Sequence, residues 1–84
     1  MRAQDILPDH LDEVRHHGTT IRKGSVGAFL ANAAALDMPT VTADNREALL
    51  RDIEELLPAL RALGLFDVFE IRNPRLRAFV EARP

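Results

Sequence analysis

The strongest pattern along the chain lies between Ala43 and Leu63, where apolar residues recur at helical spacing. Advancing about 100° per residue from Leu49, the side chains of Leu49, Leu50, Ile53, Leu56, Leu57, Leu60 and Leu63 fall within about 140° of arc. Glu47, Arg51, Glu54, Glu55 and Arg61 occupy the other side. This spacing predicts one long amphipathic helix over 43–63. Thr42 or Asp44 can accept from its free first amides, and with Asp44 as cap Glu47 would complete a capping box. Gly64 supplies a left-handed stop. Pro58 removes a backbone donor and crowds the carbonyl of Glu54, so a kink is expected there, on the polar side of the wheel.

A second pattern is unusual for its lack of charge. Residues 24–36 read GSVGAFLANAAAL, thirteen consecutive positions with no ionisable side chain. As a helix, this stretch gathers Val26, Phe29, Leu30, Ala33 and Leu36 in an arc of about 120°, the face expected to be buried. The opposite side holds Gly27, Ala28, Ala31, Asn32, Ala34 and Ala35. Small residues allow another backbone to approach closely, so this side is expected to be covered, either by the rest of the chain or by another molecule. Beyond Gly64, Leu65, Phe66 and Phe69 lie within one helical turn with Asp67 turned outward, which predicts an apolar plug. Asn73 followed by Pro74 is a strong helix start and leads into Leu76, Phe79 and Val80.

The N-terminal third supports two readings. Leu7, Leu11 and Val14 have helical spacing from Pro8 to His17, with acids early and Gly18 at the end. Thr19, Thr20 and Ile21 are instead strand formers, and Val14 and Ile21 flank His17 and Gly18 as the two arms of a hairpin would. The stretches KGSVGAFLAN (Lys23 to Asn32) and LPALRALGLFDVF (Leu57 to Phe69) resemble the recurring patterns of a family of small uncharacterised proteins from Proteobacteria, with a Gly-Ser/Thr-Val helix start and a Gly-Leu-Phe-Asp-x-Phe motif. The likeness covers Gly18 to Phe69. It implies an N-terminal hairpin followed by helices, and no particular chemistry. His16 and His17 ahead of Gly18, and the extra alanines after Asn32, depart from the family pattern.

Composition narrows the picture further. At 84 residues the chain makes a single domain, 1–84, with residues 1–10 a candidate disordered N-terminal segment. A domain of this size buries only about 60% of its unfolded surface, so little apolar area can be spared. The absence of cysteine excludes disulfides and thiolate zinc sites as supports for the core. No apolar run is long enough to span a bilayer, and Asp5, Asp9, Asp12 and Glu13 stand where a signal peptide would be apolar, so a cytoplasmic location and no membrane partner are expected. Formal net charge is −2, from thirteen acidic and eleven basic groups, which gives no general attraction to nucleic acid. Carboxylates cluster at 5–13, while Arg72, Arg75, Arg77 and Arg83 mark a basic tail expected to be solvated.

Candidate chemistry is sparse. His10, His16 and His17 lack the spacing of a metal pair, so no metal or other cofactor is expected. There is no cysteine nucleophile, no G-x-S-x-G elbow and no tyrosine, and an enzyme is not expected. Arg22, Lys23, Gly24 and Ser25 precede a helix and could together hold a small anion or a nucleotide, although Ser25 as a plain N-cap explains the same residues. The sequence therefore predicts a mainly α domain: a central uncharged helix, a long Pro-kinked helix and a short C-terminal helix, with an N-terminal β-hairpin or, alternatively, an all-α start. The expected role is a non-enzymatic protein-interaction module, homodimeric or bound to another protein, through Gly27, Ala28, Ala31, Ala34, Ala35, Phe66, Phe69 and Phe79. Its rival is anion binding at residues 22–25.

Overall fold

A computed structural model of the chain describes residues 13–16 and 18–84. Two strands, β1 (Glu13–His16) and β2 (Thr19–Arg22), precede four helices. These are α1 (Ser25–Leu36), α2 (Ala43–Leu63), α3 (Leu65–Val68) and α4 (Pro74–Glu81). The domain is mainly helical, as the periodicity predicts.

The strands form an antiparallel pair in which Val14 stands opposite Ile21 and His16 opposite Thr19. The backbone reverses through Gly18, whose φ of 78° lies in the left-handed region that a tight hairpin demands and other residues resist. The Arg15 guanidinium donates to the Gly18 carbonyl at 3.0 Å across the turn. The hairpin reading therefore holds over residues 13–22, while the proposed segment 1–10, and His10 and His17, lie outside the described residues.

Every later element is arranged around α2. Ile53 and Leu60 are wholly buried and Leu57 nearly so, and these three form the centre of a cluster completed by Phe29 of α1 and by Leu76 and Val80 of α4. Leu36, Leu56, Leu65, Phe66, Ile71 and Phe79 close its edges. At the hairpin, Ile21 alternates inward and is also buried. Thr42 caps α2 by accepting from the Asn45 amide at 3.1 Å, so the Asp44 capping box does not form and Glu47 pairs instead with Arg51 one turn on. The helix continues unbroken through Pro58, which is exposed, and stops at Gly64 with φ 79°. For α4, the Asn73 side chain accepts from the amides of Arg75 and Leu76, as expected of an Asn-Pro start.

Two expectations fail. Phe69 is not part of a plug: it is 66% exposed and leaves α3 in extended backbone, so only Leu65 and Phe66 pack on the core. The basic tail is not simply solvated. Arg83 lies over the Phe79 ring at 3.4 Å, bonds the Phe79 carbonyl and pairs with Glu54 of α2 at 3.0 Å. From the other side, the Arg61 guanidinium of α2 donates to the main-chain oxygens of Val80, Arg83 and Pro84. One arginine thus joins the last turn of α4 and the residues after it to α2, adding to the backbone bond that the Arg83 amide already makes to the Val80 carbonyl.

Because Leu60 is completely enclosed by helices on both sides, truncation leaves a cavity that the surroundings fill only in part. Leu60→Ala should lower the unfolding free energy by about 2–5 kcal/mol, a large share of what so small a domain possesses. Urea denaturation followed by far-ultraviolet circular dichroism measures it.

Candidate interaction surfaces on the first and fourth helices

The inward face of α1 begins at its first residue. Gly24 caps the helix with φ 88°, and Ser25 does not serve as the cap. Its hydroxyl instead donates to the Arg22 carbonyl at 2.8 Å, and the residue is buried. Ser25 therefore faces inward together with Phe29, Ala33 and Leu36, while Asn32 is half-buried. On a wheel these five residues span about 100°. The inward face is thus turned away from the expected one: Leu30 is 61% and Val26 36% exposed, although the apolar pattern alone would bury both.

What remains of α1 is open. Gly27, Ala28, Ala31 and Ala34 are exposed and Ala35 is half-buried. The hairpin does not shield them, because β2 turns Ile21 towards the α2 side, and α4 joins the core through Leu76 and Val80. Ala28, Ala31, Ala35 and Met38 follow one line along α1. Met38 is 56% exposed and borders a shallow trough of about 360 Å³ that continues over Val41, Ala48 and Leu49.

The aromatic residues proposed for the same surface divide. Phe66 packs edge-on against Phe29 with ring centroids 5.8 Å apart, and Phe79 lies under Arg83, so both are half-buried in the domain's own packing. Phe69 alone is broadly exposed, beside Val68 at 78%. It borders a different depression, with Arg61, Ile71 and Arg77, whose guanidinium pairs with Glu70 at 3.0 Å. The interaction residues therefore form two separate places instead of one.

A larger groove of about 560 Å³ opens between α1, α2 and α4. Ala33, Leu36, Leu50, Leu76 and Phe79 give it an apolar floor, and Arg46, Arg75 and Asp37 stand at its rim. Asn73 donates to the Asp37 carboxylate at 3.3 Å, tying the end of α1 to the start of α4 across this groove. Sequence reasoning missed it, because its walls come from three elements distant along the chain.

At the proposed anion site, residues 22–25 do meet in the turn from β2 into α1, with Arg22, Lys23 and Gly24 exposed. The Ser25 hydroxyl is engaged with the chain's own Arg22 carbonyl, a use that positions α1. Among the described residues there is no group of three His, Cys, Asp or Glu side chains that could hold a metal ion, and no helix is long and apolar enough to cross a membrane. Comparison with protein-family profiles, with curated proteins and with solved structures finds no match.

Ser25→Ala should cost about 1 kcal/mol, the net value of one hydrogen bond, seen as a lower melting temperature. A loss of that size with the Leu30 resonances displaced would show that the hydroxyl sets the rotation of α1.

Proposed function

We propose that this protein is a small non-enzymatic interaction module that acts in the cytoplasm and self-associates through the outer side of α1. One observation carries the reading: the exposed side of α1 is uncharged along its whole length, from Val26 to Leu36. Alanine's own helix preference gives a water-facing helix only about a few tenths of a kcal/mol per residue over Lys or Glu, whereas a helix that meets another backbone needs small residues at the contact.

Area decides what else must take part. A helix of twelve residues is about 18 Å long, and a stable interface hides about 800 Å² on each partner. The helix alone is too small. The trough lined by Met38, Val41, Ala48 and Leu49, with Thr40, Asn45 and Asp52 also on its walls, supplies adjoining surface that is partly apolar, and two copies related by a twofold axis would each place Met38 against the other's alanines. Phe66 and Phe79 are taken up by intrachain packing and do not enlarge this contact.

Sedimentation velocity with light scattering over a range of concentrations tests the reading. The wild-type chain should move from monomer to dimer as concentration rises. Ala31→Glu, at an exposed helical position, should leave the melting temperature nearly unchanged and shift the dimer constant at least about tenfold towards monomer, because a carboxylate would be buried without a partner. A wild-type monomer at every concentration would refute self-association.

A further inference from the structure

The outer line of α1 does not account for the groove between α1, α2 and α4. Val26, Leu30 and Ala34 follow one another at intervals of four residues, so they form a second line on α1, about 12 Å long, that runs into this groove. Its floor beyond Ala34 is Leu36, Leu50, Leu76 and Phe79. The result is an apolar track that begins at Val26, passes the exposed Leu30 and reaches the groove at Ala34. Ala34, Arg46, Pro74 and Arg75 are exposed along its edges, so the groove is too open to enclose a small molecule on most sides, as ligand pockets do. Its length and openness suit the side of a helix.

Charge selects the kind of helix. The rim carries two guanidiniums, of Arg46 and Arg75, against the single carboxylate of Asp37, which already accepts from Asn73. Among the described residues neither arginine makes an ion pair. Arg75 stands in the first turn of α4, which has no acidic residue, so its charge adds to the positive end of that helix instead of offsetting it. Arg72, also exposed, precedes the same turn. A second copy docked symmetrically would bring Arg46 and Arg75 near their own equivalents, which opposes self-association at this place.

We infer that the groove between α1, α2 and α4 docks an acidic amphipathic helix of a partner protein, its apolar side chains over Leu30, Leu50 and Phe79 and its carboxylates against Arg46 and Arg75. The inference rests on the reading of the chain as an interaction module; it shares the open flank of α1 at Leu30 and Ala34 but not the line of Ala28, Ala31, Ala35 and Met38 on which the dimer contact is centred.

The probe is a capped peptide of about 15 residues, near the length at which an isolated helix becomes populated, with leucines at i, i+3, i+7 and i+10 and glutamates on either side. A counterpart carries lysine for every glutamate. With the full chain labelled for NMR, the acidic peptide should shift Ala34, Leu50, Leu76 and Phe79 and leave Ala28 and Ala31 in place, while the lysine peptide shifts none of them. Arg46→Glu combined with Arg75→Glu should weaken binding about tenfold, and added salt should weaken the wild-type complex in the same direction, a check that needs no variant. Equal binding of both peptides, shifts confined to Ala28 and Ala31, or no shift at millimolar peptide would overturn the inference. So would self-association that occupies the groove without peptide. Ala31→Glu should leave peptide binding intact, so loss of the dimer and loss of the groove are read separately.

Discussion

The fold depends on enclosing one apolar stripe. Ile53, Leu57 and Leu60 lie on successive turns of α2, and no single neighbour is wide enough to cover them. The other elements approach α2 from different sides: α1 contributes Phe29, α4 contributes Leu76 and Val80, and the hairpin adds Ile21 beside them. In a chain without disulfides this packing is the main source of stability. The polar contacts around it, Arg61 on the end of α4 and Arg83 on Glu54, fix how α4 sits once the stripe has been covered.

Facing α2 leaves each covering element with an outer side, and the character of that side differs from one to the next. On α4 it is basic, with Arg75 exposed and Arg77 half-buried and paired to Glu70. On α1 it is neutral and apolar. Two contacts agree on the rotation of α1: Phe29 takes the core position against Phe66, and Ser25 turns inward to reach the Arg22 carbonyl, so Leu30, one residue further round, is left outside. Helical spacing permits either leucine or phenylalanine to be central. Packing of Phe29 in the core distinguishes them, and the Ser25 bond at the helix start fits the same rotation.

Much of this was legible in the residues. The bounds of α2, its stop at Gly64, the Asn73-Pro74 start of α4 and the inward positions Ile53, Leu57 and Leu60 follow from spacing and caps, because both are local properties of the chain. The hairpin could be weighed but not decided, since Gly18 serves equally as a helix stop and as a turn, and only pairing between strands separates the two. Spacing from Leu65 and Phe66 puts Phe69 in a plug, and it also counts towards the expected interaction surface; extended backbone after Val68 carries it away from the core and leaves it exposed. The neutral face of α1 was visible as composition. Its exposure was not, because that depends on where α4 and the hairpin go. The groove beside it was beyond reach for the same reason: Leu50, Leu76 and Ala33 come together only after three helices have packed.

Gly24 carries a consequence of its own. With φ at 88° and open space where a side chain would begin, it is held by conformation and not by crowding. The turn from the hairpin into α1 therefore depends on a backbone angle that L side chains resist, while Phe29 anchors the helix that follows. Any side chain there would load strain onto the joint itself with no clash to relieve, so tolerance at this connection is governed by backbone geometry, while the seat of the helix is governed by its enclosed phenylalanine.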